Sequence, residues 1–474
     1  MLAQSSSYSF IFAALALVAA VLLFTRFASK KTPGSKVETL APGHHLSLNE
    51  FDETKARQIA EKFDLKRLPD NFYKDPFPYY HALRSFSPVH LMPDGSYFLT
   101  RYSDIISVYN NARAFSSDKK IEFAPKYGTD SLLFEHHTTS LVFSDPPYHT
   151  RVRRLLVGAL SPRAIEAMEP GLIKRVDELL DIAEKKRNVD IIEDFASAIP
   201  IEIIGNLLDI PHDERGPLRQ WSLDILGALE PTLTPQQQQA GEQSVKEFLA
   251  YLKDLIRRRR EKPGDRDTDM LTRLMLGDPN GEKFTETELM QNCVFLLNAG
   301  HETTTNLIGN SLVMLSEWPD QKRLLLDNLD DPNLLKTAVE EFLRYESSNQ
   351  LGNRRSTQDV TVGGVFMPAG TLITIGMGGA NRDPNQFPEP DRLDLQRSTN
   401  KHVAFGSGIH QCAGMNLARL EGRIAVQRWL RRFPNYKLTG EPERNRRARF
   451  RGFGMVPCNV FGEGKEYVAT QKRL

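Results

Sequence analysis

The sequence predicts a mainly α-helical domain with a small β region, placed behind an N-terminal membrane segment. Helical patterns dominate from about residue 45 onward, whereas strand-like runs are few and short. Near the N-terminus, residues 10–24 contain no charged or strongly polar side chain. We therefore expect a membrane anchor over residues 1–31, a linker over residues 32–44 and one large domain over residues 45–474.

The N-terminal segment has the length and the flanks of a transmembrane helix. Residues 8–27 carry a single charge, Arg26, and a bilayer core of ~30 Å needs about 20 such residues. Lys30 and Lys31 follow, which predicts that the domain beyond the segment faces the cytoplasm. A cleaved signal peptide is the competing interpretation, but no Lys or Arg precedes the apolar run and no clear small-residue cleavage site follows it. We predict a retained, single-pass anchor.

The charge balance gives no argument for nucleic acid as a partner. Lys and Arg total 61, Asp and Glu total 60, and the net charge is +1. The basic run at residues 257–260 is interpreted as a solvated helix end, because the alternating-charge loop 262–267 follows it. The three cysteines form no C-x-x-C pair and no zinc-like cluster, which disfavours a zinc site and fits a reducing compartment.

One helix is unusually long. The capping box Thr285–Glu288 predicts its start, and the pair Trp318–Pro319 predicts its end, so the helix should cover residues 286–317. At 1.5 Å per residue it spans roughly 48 Å and must cross the centre of the molecule. Small and hydroxylic side chains at residues 299–304 interrupt its apolar periodicity, which indicates that another group passes close to the backbone there.

The strand signals are confined to three short runs. Residues 97–100, 360–362 and 372–375 are rich in aromatic and β-branched side chains. Glycines at 363 and 364 and a turn at 368–370 separate the last two runs. The predicted sheet is therefore small.

A glycine-rich loop carries the most informative cysteine. Residues 405–414 read F-G-S-G-I-H-Q-C-A-G, which places the Cys412 thiol among backbone N–H groups with little side-chain bulk beside it. Cys412 is interpreted as a metal ligand. The alternative is a buried free cysteine in a turn, which is the usual reading of a lone cysteine.

Four motifs, in order along the chain, resemble those of the cytochrome P450 family. The Cys412 loop matches the haem-binding signature F-x-x-G-x-[HR]-x-C-x-G, and residues 299–304 match [AG]-G-x-[DE]-T-[TS]. Glu341 and Arg344 match the E-x-x-R helix, and residues 145–153 match the D-P-P-x-H-T-x-x-R segment of soluble bacterial members. The resemblance covers roughly residues 69–456 and implies the cytochrome P450 fold.

The resemblance implies a cofactor and assigns residues to it. The cofactor is haem b (iron protoporphyrin IX), with Cys412 as the axial thiolate, which favours O–O cleavage. Phe405 and Gly406 belong to the thiolate loop, and Ala299 and Gly300 let the macrocycle and dioxygen approach the long helix. Glu302 and Thr303 are the expected acid–alcohol pair that relays protons. The residues that the resemblance assigns to cofactor binding and proton relay are thus Cys412, Phe405, Gly406, Ala299, Gly300, Glu302 and Thr303.

Buried haem propionates need cationic partners. His149 and Arg153 lie four residues apart and share a face if that segment is helical. The resemblance adds Arg354 and His410 to the set, with Arg355 as a rival to Arg354.

The E-x-x-R pair has a structural role in the resemblance. Glu341 and Arg344 lie on a helix predicted to begin with Asp331 as N-cap and Pro332 at the first helical position. The resemblance implies that their ion pair anchors the region that positions the thiolate loop.

The implied function is monooxygenation. One oxygen atom of O2 would be inserted into a small, largely apolar organic substrate by hydroxylation or epoxidation. The polar residues 347–350, in a segment that usually borders the substrate pocket, are compatible with a polar group on that substrate.

Electrons should come from a separate ferredoxin or flavoprotein, because the residues after Cys412 hold no dinucleotide fingerprint and no cluster of cysteines. Arg419 and Arg423, with Lys401, are candidates for a basic docking patch for that donor. Solvation of their helix is the alternative interpretation.

Two other function classes stay open at this point. A peroxide-driven or isomerising haem-thiolate enzyme would need no electron donor, although such enzymes often lack the alcohol of Thr303. A non-enzymatic haem sensor or electron carrier would need a second axial ligand, for which His301 is the nearby candidate. His301 and Thr303 are two residues apart on a helix and point roughly 200° apart, so His301 should face away from the iron.

Overall fold

The computed structural model describes residues 52–160, 162–265, 269–278, 280–464 and 467. The predicted anchor and linker, residues 1–44, lie outside the described residues. In the part that the structure describes, no helix combines the length and the apolar character needed to cross a bilayer. The described residues all belong to one compact unit.

Helices make up most of this unit, as predicted. In chain order the α-helices are α1 (Glu53–Lys62), α2 (Asp70–Lys74), α3 (Phe77–Phe86), α4 (Tyr102–Tyr109), α5 (Lys120–Tyr127), α6 (Leu132–Thr139), α7 (Tyr148–Ala159), α8 (Pro162–Lys186), α9 (Ala198–Leu207), α10 (Leu218–Gly227), α11 (Pro235–Glu261), α12 (Met270–Leu276), α13 (Glu286–Glu317), α14 (Pro319–Asp327), α15 (Pro332–Tyr345), α16 (Met377–Ala380) and α17 (Met415–Arg432). Short 3-10 turns occur at Leu141–Phe143, His212–Glu214 and Gly408–His410, and a π-helical turn at Ile192–Ala196.

The β structure is small and lies in four groups. The strands are β1 (Val89–Leu91), β2 (Tyr97–Leu99), β3 (Phe115–Ser116), β4 (Asn188–Asp190), β5 (Leu351–Ser356), β6 (Val360–Val362), β7 (Val365–Met367), β8 (Leu372–Gly376), β9 (Lys437–Leu438), β10 (Glu443–Arg444), β11 (Phe453–Met455) and β12 (Pro457–Asn459). The largest sheet has the order β1-β2-β8-β5-β3, in which β2 and β8 run parallel. The three predicted strands are confirmed as β2, β6 and β8. Strand β5 was not predicted, because its sequence L-G-N-R-R-S is polar.

The long helix α13 begins and ends where the sequence places it. Thr285 accepts a hydrogen bond from the backbone of Glu288, and the Glu288 side chain accepts one from the backbone of Thr285. Helix α17 crosses α13 closely at Gly422, where an added Cβ would lie 2.9 Å from a methyl carbon of Leu307. Because α17 begins three residues after Cys412, this crossing fixes the thiolate loop relative to α13.

A buried ion pair ties α15 to the segment that leads into the Cys412 loop. Arg344 donates two hydrogen bonds of 2.8 Å to the Glu341 carboxylate, and both side chains are fully buried. Arg344 also donates to the carbonyl oxygens of residues 381, 390 and 392, and Glu341 accepts from Arg397 and Asn400. Helix α15 has Asp331 as its N-cap, as predicted.

Candidate active site

The Cys412 loop is closed by its own backbone. The amide of Cys412 donates to the carbonyl of Phe405 at 2.9 Å, and the amide of Gly406 donates to that of Val403 at 2.8 Å. Gly406 and Gly408 have φ angles of 67° and 68°, which side-chain-bearing residues rarely adopt. A Cβ on Gly408 would overlap the carbonyl oxygen of Tyr109, so α4 also requires a glycine at this position.

Cys412 differs from the other two cysteines in its surroundings. Burial raises the pKa of both Cys293 and Cys458 to about 12, and both thiols lie in the apolar core. Burial also raises the pKa of Cys412, but a hydrogen bond from the Gly414 backbone and the charge of Arg153 act against that rise. Cys412 is only partly buried. It is the thiol of the three that combines partial exposure with neighbouring groups that favour the thiolate.

Basic side chains gather beside this loop. Arg153 donates to the carbonyl of Gln411 at 2.7 Å, and the rings of His149 and His410 lie 4.1 Å apart. Burial, with the charges of Arg354 and His149, lowers the pKa of His410 to about 2. Both ring nitrogens of His149 and the Nε2 of His410 are buried without a hydrogen-bond partner among the described residues. This arrangement provides unused donors for an anion.

Arg354 and Arg355 are consecutive residues of strand β5, and their side chains have different partners. Arg354 lies 5.0 Å from the Tyr109 ring, and its charge acts on His149 and His410. Arg355 instead pairs with Glu122 at 3.1 Å. Arg354 is therefore the arginine that lies with the histidines.

The mid-helix interruption of α13 opens on one face. Phe295, Ala299 and Thr303 follow each other at four-residue spacing and are exposed or partly exposed, whereas most of the neighbouring side chains are buried. The Thr303 hydroxyl donates to the carbonyl of Ala299 at 2.8 Å. Gly300, next to Ala299, is partly exposed and also permits close helix packing. A Cβ there would meet Ile204 of α9 at 2.6 Å, so the glycine serves helix packing.

Glu302 lies beside Thr303 but its hydrogen bond goes elsewhere. Its Oε2 accepts from Arg447 at 2.5 Å, and its Oε1 is buried without a partner in the described part of the chain. Burial raises the pKa of Glu302 to about 7, although the Arg447 charge opposes the rise. The carboxyl can therefore gain or lose a proton near neutral pH.

His301 is buried on α13, and burial lowers its pKa to about 3, with the charges of Arg219 and Arg447 contributing. Arg219 belongs to α10, so His301 lies toward that helix. This position gives no support to His301 as a second axial ligand.

Sequence reasoning missed several polar groups near this face. His136 bonds through Nδ1 to Gln291 at 3.1 Å and through Nε2 to Asn298 at 3.3 Å. Asn298 directly precedes Ala299, and its place in an otherwise apolar run was the available signal. Arg447 carried no local signal, because its partner Glu302 is distant in sequence. Lys119, buried near Arg354, pairs with Glu122 three residues later at 3.6 Å, and that i,i+3 spacing was the available signal.

Comparisons with known proteins identify the family. The cytochrome P450 profile matches residues 219–459. The biotin biosynthesis cytochrome P450 of Bacillus subtilis is 34% identical over 370 residues, which is 77% of this chain and 91% of that protein. The vitamin D(3) 25-hydroxylase of Pseudonocardia autotrophica is 36% identical over 373 residues, which is 78% of this chain and 88% of that protein. This chain belongs to the cytochrome P450 family.

A solved cytochrome P450 structure agrees with this assignment. P450BioI in complex with hexadec-9Z-enoic acid ligated acyl carrier protein matches with a TM-score of 0.77 and 33% identity, over 83% of this chain and 100% of that one. The chain is thus a cytochrome P450 monooxygenase, and its cofactor is haem b bound through a cysteine thiolate.

The residues around Cys412 fit this cofactor. Cys412 offers the soft thiolate, and the unused nitrogens of His149 and His410 lie with Arg153 and Arg354, as two propionates require. The open face at Ala299 offers a surface without bulky side chains on α13.

Proposed function

We propose that this cytochrome P450 inserts one oxygen atom of O2 into a small, largely apolar organic substrate, by hydroxylation or epoxidation, with electrons from a separate protein. The observation that carries the proposal is the single accessible thiol, Cys412, in a glycine-closed loop beside four basic groups with unused donors. The open face of α13 at Ala299 and Thr303 supports it further.

In this proposal Cys412 is the axial ligand. Haem bound there supplies dioxygen binding and O–O cleavage, which the thiolate favours. The Gly414 N–H donates to the sulfur and, with Arg153, stabilises the anionic form of Cys412. His149, Arg153, Arg354 and His410 hold the propionates through charge-assisted hydrogen bonds.

Glu302 and Thr303 form the proton path. The Glu302 carboxyl, with a pKa of about 7, holds a proton part of the time at neutral pH. To pass it to the Thr303 hydroxyl, the carboxyl must rotate away from Arg447, which binds its Oε2. The bond from Thr303 to the Ala299 carbonyl keeps the hydroxyl on the open face of the helix. Arg447 thus sets both the resting position and the acidity of the acid.

The electron donor is proposed to be a ferredoxin or flavoprotein, but the expected basic patch loses its support. Arg419 pairs with Glu340 at 2.6 Å, and Arg423 pairs with Glu169 at 3.0 Å. Their charges are compensated by neighbouring carboxylates. The docking surface is therefore not assigned to these two arginines.

For the N-terminus we propose a single-pass membrane anchor over residues 1–31, with the catalytic domain on the cytoplasmic side. The support is the apolar run with its basic flank. Fractionation of the full-length chain, compared with a chain that starts at residue 32, tests this. Recovery of both in the same soluble fraction would contradict the anchor.

The test of the axial ligand is Cys412→Ser. The red-shifted ferrous–CO absorption band of a thiolate haem should disappear, because a hydroxyl cannot supply the soft anionic ligand. Cys293→Ser and Cys458→Ser should retain the band, since both thiols lie in the core. A Cys412→Ser protein that keeps the band would overturn the assignment.

A further inference from the structure

The C-terminal segment 447–449 lies along one side of the proposed active site. Arg447 binds Glu302, next to Thr303 on α13. Two residues later, Arg449 donates to the carbonyl of Leu351 at 2.7 Å and to Oδ1 of Asn353 at 2.5 Å, both on β5. The segment therefore connects the proton path with the strand that carries Arg354.

The guanidinium of Arg449 has no carboxylate as a hydrogen-bond partner in the described residues. Its third bond goes to the carbonyl of Leu229 at 3.2 Å, so all three acceptors are neutral amide groups. A guanidinium has five N–H donors, which leaves donors for a ligand. Arg449 as a residue is partly exposed, and burial of its guanidinium lowers the pKa of Arg449.

A second cation lies close to Arg449. The ammonium of Lys126, on α5, donates to the backbone carbonyl of Glu230 at 2.8 Å, which is again a neutral acceptor. Burial and the nearby charge of Arg449 together lower the pKa of Lys126 to about 8, against the opposing charge of Glu230. The two cations thus repel each other in the protein alone.

The neighbouring carboxylates are turned to other partners. Glu230 accepts from the backbone amides of Ala448 at 2.8 Å and of Arg449 at 3.2 Å, and Glu302 accepts from Arg447. Three basic side chains, at 126, 447 and 449, thus face two carboxyls, at 230 and 302, neither of which is hydrogen-bonded to the Arg449 or Lys126 side chain. One positive charge is left over in a partly buried place, which is costly unless a ligand pairs with it.

The polar residues 347–350 keep two buried polar atoms without a partner among the described residues, the Ser348 hydroxyl and Oε1 of Gln350. Ser347 donates to the carbonyl of Leu343 at 2.8 Å, and the Gln350 amide donates to that of Ser347 at 2.7 Å. The Ser347 hydroxyl and the Gln350 amide nitrogen thus satisfy the local backbone, and the segment contains no cation that would pair with a carboxylate.

We propose that Arg449 and Lys126 form a subsite for a carboxylate, so that the substrate is an amphipathic organic acid whose apolar part extends toward Thr303. This rests on the proposed function, because it takes the open face of α13 as the oxidation site. The subsite is distinct from the propionate set, in which His149, His410 and Arg153 supply the donors.

The test compares ligands that share a twelve-carbon chain and differ in whether the head group carries a charge. Dodecanoate, methyl dodecanoate and 1-dodecanol are titrated into the full-length holoenzyme, and binding is measured by equilibrium dialysis and by the optical change when iron-bound water is displaced. We expect dodecanoate to bind at least about 10-fold more tightly than the ester, because only the acid can accept a charge-assisted hydrogen bond as a carboxylate. Equal affinities of acid and ester would overturn the proposal.

Variants locate the effect. Arg449→Gln and Lys126→Gln should each weaken dodecanoate binding by about 10-fold and leave ester binding unchanged, and Arg449→Lys should retain part of the preference. Arg446→Gln and Lys120→Gln are matched controls, because these residues are exposed on the same segment and the same helix. Equal loss of acid and ester binding in Arg449→Gln would contradict the subsite.

Haem content distinguishes the remaining outcomes. If Arg449→Gln loses haem faster than the native enzyme, Arg449 holds a propionate and the subsite is wrong. Dialysis needs neither turnover nor the thiolate spectrum, so a failed Cys412 assignment would leave the acid preference measurable. The two proposals can thus fail separately.

Discussion

Two buried charged regions of this enzyme are built in opposite ways. Glu341 and Arg344 hydrogen-bond to each other and to other protein groups, and neither has a buried side-chain atom without a partner among the described residues. In the proposed active site, His149, His410 and Glu302 keep buried polar atoms without partners in the described chain. The difference teaches that a structural charge network is closed internally, whereas a functional one reserves donors and acceptors for a ligand.

The largest effect is expected where the closed network is opened. Arg344→Leu leaves the Glu341 carboxylate buried with part of its hydrogen bonds lost, which should destabilise the fold by about 3–5 kcal/mol. Urea denaturation of the protein measures this loss. Lys336→Gln, at an exposed position on the same helix, should change stability by less than about 0.5 kcal/mol. Equal stability of Arg344→Leu and the native chain would show that the Glu341–Arg344 network does not stabilise the fold.

A buried carboxyl outside both regions sharpens the comparison. Burial raises the pKa of Glu421 on α17 to about 8, and its Oε1 has no partner among the described residues. The unfolded chain loses this proton near pH 4.5, while the folded one retains it up to about pH 8, so stability falls as the pH rises between these values. Glu421→Gln should therefore be more stable than the native protein at pH 8, by about 2 kcal/mol or more.

Glu340 provides a control of opposite sign for Glu421. Burial alone would raise the pKa of Glu340, but hydrogen bonds from His402 and Arg419 lower it to about 2. Its stabilisation is present above pH 4.5 and is lost as the pH falls toward 2. Glu340→Gln should thus be less stable than the native protein at pH 8. Thermal unfolding at pH 5 and pH 8 measures both variants, and a Glu421→Gln protein without any gain at pH 8 would contradict the argument.

In the proposed active site, loss of a polar side chain should weaken haem binding rather than destabilise the fold, which is the opposite of the effect expected at Arg344. His410→Phe removes a proposed propionate donor worth about 1.5–3 kcal/mol, so haem should transfer to an acceptor apoprotein roughly 10–100-fold faster. The haem-free protein should lose little stability, because Nε2 of the native histidine is buried without a partner in the described structure and only the hydrogen bond with the Ser144 backbone is lost. Transfer rates and apoprotein denaturation test this pair of expectations. Unchanged haem transfer would exclude His410 from the propionate set.

Local spacing explains which features the sequence analysis predicted correctly. The long helix, its capping box and the Glu341–Arg344 pair depend on residues three or four positions apart. Strand β5 was missed because its sequence is polar and contacts with distant residues hold several of its side chains, as Arg449 holds Asn353.

Parts of the proposed active site were not predicted either, because they depend on contacts between residues far apart in the sequence. The contact of Glu302 with Arg447 joins positions 145 residues apart, and that of Asn298 with His136 joins positions 162 residues apart. Gly300 was assigned to the cofactor from its motif, and that motif gave no sign of its close approach to Ile204 of α9. Such roles depend on which helix packs alongside, which local patterns do not encode.

The smallest effect on stability and on reduction rate is expected at Arg423, because its charge is paired at the surface with the carboxylate of Glu169. Its partner Glu169 lies 3.0 Å away, and both side chains are about one-third exposed, at 31% and 34%. Exposed pairs of this kind contribute about 0–1 kcal/mol, so Arg423→Gln should barely change stability. Because the arginine charge is already compensated, the rate of reduction by a competent donor should also stay within about twofold of the native rate, at low and at physiological salt. Stopped-flow reduction measures this, with Arg419→Gln as the matched variant beside Glu340. A several-fold slower, salt-dependent reduction of Arg423→Gln would return this helix to the list of donor-docking surfaces, and would show that a closed ion pair can still serve a partner.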